Sequence, residues 1–303
     1  MISNLPLVSI CCITYNHCDF IRQCLDGFIM QKTDFAFEII VHDDASTDGT
    51  TDIVKEYEMK YPKLFKVIIQ KENQYSKGVN ILSNVFSCAT GKYIAYCEGD
   101  DYWTDPLKLQ KQVDVMENNR FSICCHDYVK VDESGRKMSD GCGFKELQIN
   151  LEDFVRREDL ILQPLTVLFR RSMFESDEYA KYDCAKDITL YYHLLKKGDA
   201  FIIPEIMGCY RVHLGGVYSS ASFSDKLLQD FKTKLAICEV EKSKLSVDYL
   251  YLVVSAIIRN LGFRFLVKHL QLFVRAGRQI SPYYGEFTIG KILLKKYRGV
   301  FTN

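Results

Sequence analysis

The sequence lacks the signals that would assign the chain to several other classes of protein. No two cysteines have the C-x-x-C spacing, which excludes zinc-ribbon and thioredoxin-type motifs. The longest apolar stretch, Tyr249 to Ile258, is shorter than the about 20 residues that a membrane span takes. No basic segment precedes the first apolar run, so we expect no secretory signal peptide. The formal net charge is zero, so the totals do not indicate a nucleic-acid partner.

The twelve cysteines fit a reduced protein interior better than a disulfide framework. Many of them lie inside apolar strands or on helix faces: Cys11, Cys12, Cys24, Cys97, Cys124 and Cys125. At such positions a free thiol behaves as a small apolar side chain. Because free thiols persist in a reducing compartment, we expect buried free cysteines and a cytoplasmic location.

The zero net charge hides a basic C-terminal segment. Residues 261–303 contain eight lysines and arginines against one acidic residue, a net charge of +7, so residues 1–260 carry −7. Apolar residues recur in this segment at helical spacing: Phe263, Leu266, Val267, Leu270, Phe273 and Val274. Basic residues lie beside this predicted stripe: Arg264, Lys268 and Arg275. Such an amphipathic helix either lies on an anionic membrane surface or packs on the rest of the protein with its cations in water.

Strand and helix patterns alternate over the first 130 residues. The apolar run from Leu7 to Thr14 is typical of a central parallel strand that is covered on both faces. Further strands are predicted at Phe37 to Val41, Val67 to Ile69 and Lys92 to Cys97, with a helical pattern after each. This alternation predicts an α/β fold with a doubly wound sheet, in which ligands bind at the carboxyl ends of the strands.

The pattern changes in the second half of the chain. Strands are predicted at Phe121 to Asp132, Thr166 to Phe169, Phe201 to Ile203 and Met207 to Val212. Helices are predicted at Leu151 to Arg157 and Asp187 to Lys197, and again from Ser219 onward. We therefore divide the chain into a main domain, residues 1–222, and a basic helical C-terminal region, residues 223–303. Residues 1–130 form the ligand-binding half of the main domain, and residues 131–222 form its second half.

Polar segments follow three of the predicted strands. They are Thr14-Tyr15-Asn16 after the first strand, His42 to Thr50 after the second, and Glu98 to Asp101 after the fourth. Each segment on its own also reads as a turn that caps the next helix. Three carboxylates within the four residues from Glu98 to Asp101 repel one another unless they share a cation. Mg²⁺ and Mn²⁺ take such oxygens, usually together with substrate phosphates.

In their order and spacing, these segments resemble the opening of family 2 glycosyltransferases of the GT-A fold. The resemblance is carried by Val8 to Asn16, Glu38 to Thr50, Asn73 to Gly78, Gly91 to Ile94 and Glu98 to Asp101. It extends over roughly residues 6–220. It implies a GT-A fold, which is a Rossmann-like, doubly wound mixed sheet, here with a helical C-terminal appendage. It also implies a nucleotide-sugar ligand.

The resemblance implies that the first two polar segments bind the nucleotide. Thr14, Tyr15 and Asn16 match the turn that holds the nucleobase. Asp44 matches the carboxylate that binds the base, usually uracil, and Ser46 in the same segment is assigned to the nucleotide-sugar site. Two further residues match the segment that approaches the nucleotide: Lys77 and Gly78.

The resemblance also implies a metal site. Glu98 and Asp100 match the two ends of an acid-x-acid (DXD) motif, whose partners are the ribose and the metal-bound diphosphate. Because Glu98 replaces the commoner aspartate, Asp100 and Asp101 are the predicted metal ligands. His213 lies in a later segment whose histidine could reach the metal or the diphosphate, and a structural role is its alternative. The implied cofactor is Mg²⁺ or Mn²⁺.

Asp187 resembles the family's catalytic base, which takes the proton of the acceptor hydroxyl. It stands at the predicted start of a helix, where the helix dipole favours the ionised form. A helix-capping role is the alternative. Asp177, Glu178 and Asp183 are the next candidates for the base.

Trp103 follows the acidic segment and either lines the sugar pocket or packs in the core.

Together these features predict a metal-dependent glycosyltransferase with a nucleoside-diphosphate sugar, expected to be a UDP-sugar, as donor. The expected acceptor is a glycan or a lipid-linked glycan in cell-surface polysaccharide synthesis, and the family implies inversion at the anomeric carbon. We expect a cytoplasmic enzyme with a peripheral contact at the cytoplasmic face of the membrane. A catalytically inactive nucleotide-sugar- or glycan-binding module is the alternative. A dehydrogenase is excluded because no G-x-G-x-x-G follows the first strand.

Overall fold

Strands from both halves of the chain form one mixed sheet in this computed structural model, which describes residues 5–144, 147–157, 160–184, 186–216, 220–261 and 263–284. Within these residues the strands are β1 (Val8–Thr14), β2 (Phe37–Asp43), β3 (Phe65–Ile69), β4 (Tyr93–Glu98), β5 (Tyr102–Trp103), β6 (Ile123–Val131), β7 (Leu147–Ile149), β8 (Leu168–Arg170) and β9 (Ala200–Arg211). Their order across the sheet is β3-β2-β1-β4-β8-β6-β9-β5, and β7 pairs with β9.

Helices connect the strands and continue beyond them. They are α1 (Ile21–Ile29), α2 (Thr50–Lys60), α3 (Ile81–Ser87), α4 (Lys108–Asn118), α5 (Leu151–Arg156), α6 (Ser176–Tyr179), α7 (Asp187–Leu195), α8 (Phe223–Glu241), α9 (Lys244–Asn260), α10 (Phe263–Lys268) and α11 (Leu270–Tyr284). One face of the sheet is covered by α1, α2 and α4, through residues such as Leu25 and Val113. The other face is covered by α3, α5 and α7, through residues such as Val85 and Leu190. This covering of both faces explains why β1 and β4 are mostly apolar.

The first four strands place their carboxyl ends along one edge of the sheet. β1 is parallel to both β2 and β4, and β2 is parallel to β3. In this register Thr14 is opposite Asp43, and Ile13 is opposite Glu98. The three polar segments that follow β1, β2 and β4 therefore begin side by side. The α/β sheet that the sequence predicted is confirmed.

The division of residues 201–212 into two strands is wrong. A single strand, β9, runs from Ala200 to Arg211 beside β6. The register between β6 and β9 shifts where Ile203 pairs with His126 and Ile206 pairs with Asp127, so Pro204 lies in a bulge. A bulge tolerates the missing N–H of a proline, because the extra residues do not take part in the ladder. Pro204 thus interrupts the sequence pattern without ending the strand.

The helices after residue 220 enclose an apolar core of their own. α8, α9 and α11 contribute residues such as Phe231, Val254 and Phe273 to it. The helical C-terminal appendage is therefore present, while the boundary between residues 222 and 223 stays a prediction. Within the described ranges, every helix falls short of the length or the apolarity that crossing a membrane demands.

The predicted apolar stripe of the C-terminal region does not form one face. α10 ends at Lys268 and α11 begins at Leu270, and the amides of His269 and Phe273 donate to the carbonyls four residues earlier, those of Phe265 and His269. Leu266 and Phe273 are buried in the helical core, whereas the other three described members are exposed: Val267 at 53%, Leu270 at 52% and Val274 at 46%. The side chain of Phe263 lies outside the described residues. So do residues 285–303, which contain four of the eight basic residues of this segment.

All twelve cysteines lie in the described part of the chain, and all are free. The six that the sequence predicted as core residues are buried. Cys209 and Cys238 are buried as well, whereas Cys142 is exposed. The expectation of buried free thiols is therefore confirmed for most of them.

Candidate active site

The loops after β1 and β2 are hydrogen-bonded to each other. The Asn16 amide donates to Ser46 Oγ at 2.9 Å, and the Thr47 amide donates to Asn16 Oδ1 at 2.8 Å. Asn16 has a φ of 54°, which an asparagine adopts more readily than most residues because its short polar side chain bonds locally. Tyr15 next to it is 42% exposed. The two loops thus form one surface at the carboxyl edge of the sheet.

Asp44 anchors a third loop beside this surface. Its carboxylate is buried and accepts the amide of Gln74 at 2.7 Å and that of Tyr75 at 3.0 Å. These amides open a short 3₁₀ turn that ends at Gly78, whose φ of 74° suits glycine. Lys77 lies in the same turn and pairs with Glu72. Sequence reasoning placed Asp44, Lys77 and Gly78 in one site, and the structure joins them through this turn.

The acidic loop after β4 lies directly against the end of β1. A Cβ atom at position 99 would lie 2.7 Å from Thr14 Oγ1, so only glycine fits there without a shift. Oδ2 of the next residue, Asp100, lies 3.0 Å from His213 Nε2, which is a hydrogen-bonding distance. His17 Nε2 lies 3.8 Å from the same oxygen. The acidic loop, the β1 loop and the segment after β9 therefore meet at Asp100.

Arg211 holds the acidic loop in place. Its backbone amide donates to Asp101 Oδ1 at 2.8 Å, and its Nε donates to the Asp100 carbonyl at 3.0 Å. The guanidinium also lies over the ring of Phe20, with 4.7 Å from Cζ to the ring centroid. Sequence reasoning did not select Arg211. The signal was available, because this cation ends the last strand two residues before His213.

The three acids of the loop have pKa values that are shifted in different directions. Burial raises the pKa of Glu98 to about 8, and the nearby charges of Asp100 and Asp187 add to this shift. Burial and the same kind of repulsion raise the pKa of Asp101 well above its usual range. Burial also acts on Asp100, but its hydrogen bond to His213 and the proximity of His17 outweigh this, so its pKa is lowered.

The loop and its two histidines fit a divalent cation. Ligand atoms of Glu98, Asp100 and Asp101 lie within 4.8 Å of one another, and so do those of His17, Asp100 and His213. Asp100 Oδ1 and Asp101 Oδ2 are buried and have no hydrogen-bond partner among the described residues. Buried carboxylate oxygens without a partner are costly unless a cation or another donor is present. Sequence spacing did not single out His17, although its position just after β1 places it at the same sheet edge.

Asp187 lies at the first position of α7 and faces the acidic loop. Its Oδ1 accepts the Ile188 amide at 2.8 Å, while the residue that caps the helix is Lys186. Burial raises the pKa of Asp187, and its charge in turn raises the pKa of Glu98. The structure thus brings Asp187 into electrostatic contact with the acidic loop across the sheet. Its role as the base stays a prediction.

Trp103 does not line the site. It is buried at 2% exposure, its Nε1 donates to the Leu165 carbonyl at 2.8 Å, and its ring meets that of Phe28 at a centroid distance of 4.6 Å. The packing alternative is therefore correct for Trp103. An open cavity of about 500 Å³ instead adjoins His213, between the turn from Asp132 to Arg136 and Leu214.

The parallel half-sheet, the loops at its carboxyl edge and the acidic loop define a GT-A fold. Residues 9–177 match the family model of Glycosyl transferase family 2, and the chain belongs to this family. An uncharacterized protein of Mycobacterium tuberculosis is 38% identical over 222 residues, which are 71% of this chain and 61% of that protein. The match therefore spans about three fifths of that relative's length.

Two further proteins are similar over more of their own length. The Escherichia coli UDP-Glc:alpha-D-GlcNAc-diphosphoundecaprenol beta-1,3-glucosyltransferase WfaP is 29% identical over 228 residues, which are 74% of this chain and 84% of WfaP. The crystal structure of S. aureus TarS residues 1–349 in complex with UDP has a TM-score of 0.66 and 16% identity, and the match covers 96% of this chain and 87% of that one. At this identity the TarS comparison establishes the fold.

Proposed function

We propose that this protein transfers a sugar from a UDP-sugar to a glycan or lipid-linked acceptor in the synthesis of a cell-surface polysaccharide. The observation that carries the proposal is the convergence of the acidic loop, His213 and Asp187 beside the loops after β1 and β2. Supporting it, the TarS crystal structure contains UDP, and the name of WfaP specifies a UDP-Glc donor and a diphosphoundecaprenol-linked acceptor.

In this proposal the nucleotide lies on the surface formed by the loops after β1 and β2. Thr14, Tyr15 and Asn16 contact the nucleobase, and the exposed ring of Tyr15 is free to stack on it. Asp44 and Ser46 complete the base and ribose contacts. The turn that Asp44 anchors carries Lys77 and Gly78 toward the phosphates, where the absence of a side chain at Gly78 lets the backbone approach.

The proposed metal ligands are Asp100, Asp101 and His213, and the proposed ion is Mg²⁺ or Mn²⁺. When bound, such an ion stabilises the negative charge that develops on the departing diphosphate. Glu98, whose pKa is raised in part by the charges of Asp100 and Asp187, is assigned to the sugar or ribose side of the donor. Arg211 keeps the loop in position through its bonds to Asp100 and Asp101.

Asp187 is the proposed base. As the acceptor oxygen forms its bond to the anomeric carbon, the bond from that carbon to the diphosphate oxygen breaks and the hydroxyl proton moves to the Asp187 carboxylate. A single displacement of this kind inverts the configuration. Burial raises the pKa of Asp187, which makes the carboxylate a better proton acceptor than an exposed aspartate. The cavity beside His213 is the proposed entrance for the acceptor.

The C-terminal region is proposed to contact an anionic membrane surface from the cytoplasmic side. Residues 261–303 carry a net charge of +7, and α10 and α11 expose Val267, Leu270 and Val274 near Arg264 and Lys268. A lipid-linked acceptor would be presented at such a surface. Exposed apolar and basic side chains on the same helices are the combination that binds anionic lipids.

A nucleotide-release assay on the full chain, across UDP- and GDP-sugars with Mn²⁺ or Mg²⁺, tests the proposal. We expect release with a UDP-sugar, loss of release in EDTA, and loss of metal-dependent release in Asp100→Asn. Turnover that EDTA leaves unchanged would contradict the metal role. Calorimetric binding of a UDP-sugar without transfer to any acceptor would instead support the inactive binding module, and absence of binding would contradict the donor assignment.

A further inference from the structure

We propose that His17 is an additional ligand of the divalent metal, which gives the site two imidazoles and a preference for Mn²⁺ over Mg²⁺. This inference rests on the proposed function, since it concerns the metal of the same site. His17 is not among the residues that the family resemblance assigns.

The geometry around Asp100 carries the proposal. The Nε2 atoms of His17 and His213 approach the same carboxylate oxygen, Asp100 Oδ2, at 3.8 and 3.0 Å. The two imidazoles are nearly perpendicular, at 83°, with centroids 6.1 Å apart. One ligand atom from each of the three residues lies within 4.8 Å of the others. A single cation between them can therefore contact all three side chains.

The ring of His17 is held in the orientation that a ligand needs. Its Nδ1 lies 3.2 Å from Thr14 Oγ1, and its backbone amide donates to Thr50 Oγ1 at 2.8 Å. A proton on Nδ1, donated to the Thr14 hydroxyl, leaves the lone pair on Nε2, which is the atom directed at Asp100. Metal-binding histidines commonly have such a partner on the second ring nitrogen.

Oxygen atoms that need a partner lie beside the two histidines. Asp101 is 1% exposed, and its Oδ2 has no hydrogen-bond partner in the described part of the chain. Asp100 Oδ1 is likewise buried without one. Asp100 belongs to both the histidine group and the acidic group, so a cation held at Asp100 would lie beside a carboxylate whose Oδ1 has no other partner in the described part of the chain.

Two imidazoles change which ion the site favours. Mg²⁺ prefers oxygen ligands and gives up its waters reluctantly, whereas imidazole nitrogen suits transition ions. A site with one histidine and carboxylates would distinguish Mn²⁺ from Mg²⁺ weakly. Mn²⁺ also takes oxygen ligands, but as a transition ion it accepts imidazole nitrogen more readily than Mg²⁺ does. We therefore expect the second imidazole to raise the affinity for Mn²⁺ more than that for Mg²⁺, so that the ratio of the two affinities depends on His17.

The experiment measures Mn²⁺ binding to the full chain without donor or acceptor. Electron paramagnetic resonance titration gives the dissociation constant, competition with Mg²⁺ gives the ratio, and electron spin echo modulation counts the coordinated nitrogens. We expect two imidazole nitrogens in the wild type and one in His17→Gln. We also expect a weakening of Mn²⁺ binding by about tenfold or more, since loss of second-shell partners alone costs about 10–100-fold. His269→Gln, which removes an imidazole from the C-terminal helices, is the matched control and should behave as wild type.

The outcomes separate this inference from the proposed function. If His17→Gln keeps two nitrogens and the wild-type ratio, His17 is only a neighbour of Asp100, and the inference is overturned while metal-dependent transfer stands. If His17→Gln does not fold, the wild-type spectrum decides, and a single nitrogen overturns the inference. A wild type that binds no Mn²⁺ and turns over in EDTA contradicts both.

Discussion

The acids around the candidate site differ in the direction in which the fold shifts their pKa. Asp100 is buried, yet His213 and His17 favour its ionised form, so its pKa is lowered. Among the described residues no histidine lowers the pKa of Glu98 or Asp101, and burial raises the pKa of both. The unloaded site is therefore anionic mainly at Asp100. A bound cation would favour the ionised forms of the other two carboxyls by the same electrostatic argument.

The first prediction concerns Asp187. Asp187→Asn keeps the size of the side chain but removes its capacity to accept a proton. Turnover should fall by roughly 10²-fold or more, while the donor dissociation constant stays near the wild-type value. Because burial raises the pKa of Asp187, wild-type turnover should decline as the pH falls through a value above the usual range of an aspartate. The variant should lack this decline.

Asp140→Asn is the matched control, because Asp140 is a fully exposed acid in the same half of the main domain and is not a candidate for the base. It should retain wild-type turnover. If Asp187→Asn instead retains near-full turnover and loses at most about 1 kcal/mol of unfolding free energy, Asp187 acts only on the helix. The base would then be sought at Asp177, Glu178 or Asp183.

At the scale of single elements, the acidic loop depends on contacts made by its backbone. Gly99 lies against Thr14 at the end of β1, and Arg211 at the end of β9 bonds the loop from the other side. The loop is thus held between the ends of β1 and β9. Its carboxylates take their positions from these two strands and from the bond of the Asp101 amide to the Glu98 carbonyl within the loop.

The second prediction tests these contacts. In Gly99→Ala the new methyl group would lie 2.7 Å from Thr14 Oγ1 and 3.0 Å from Ile21 Cδ1, so the loop must move. We expect a loss of about 1–3 kcal/mol in the free energy of unfolding, as for other overpacked sites. Metal affinity should fall as well, measured by Mn²⁺ titration. In the control Gly198→Ala the methyl group has ordinary contacts at 3.4 Å, and both quantities should stay near wild type. Wild-type stability and metal affinity in Gly99→Ala would show that the loop is not held by this contact.

At the scale of the whole molecule, the C-terminal helices carry one set of buried apolar residues and another set of exposed ones. Leu266, Phe273 and Ile280 are buried in the core of this region, so deleting residues 261–303 would expose that core. Val267, Leu270 and Val274 on the same helices are exposed. Packing therefore involves one set of residues in this stretch, and the other set is exposed and available for the proposed surface contact.

The third prediction concerns the surface formed by these helices. Arg264→Gln with Lys268→Gln should weaken binding to vesicles of anionic lipid by about 1 kcal/mol for each charge and leave donor affinity unchanged. Arg275→Gln is the control, because the Arg275 guanidinium is paired with Glu239 at 2.9 Å. Co-sedimentation at low and high salt measures the effect. Equal binding by the double variant and the wild type, or binding that salt does not weaken, would contradict the membrane contact.

Much of the fold could be predicted because its signals are local. β1, β2 and β4 are short apolar runs that end in polar segments, and a parallel sheet aligns such ends by its geometry alone. The continuity of β9 could not be predicted, because Pro204 is tolerated only through a bulge against β6. The division of the stripe over residues 263–274 between core and surface could not be predicted, because it depends on how these helices pack against α8 and α9.

The sequence by itself determined the α/β sheet and the acidic loop at its carboxyl edge, since both depend on the order of residues within single segments. The tertiary structure decided which distant side chains face that loop. His17, Arg211 and Asp187 are separated from it along the chain, and each reaches it because a different strand or helix ends at the same edge of the sheet. Their distances and pKa shifts arise from burial and packing across elements, which no local pattern contains.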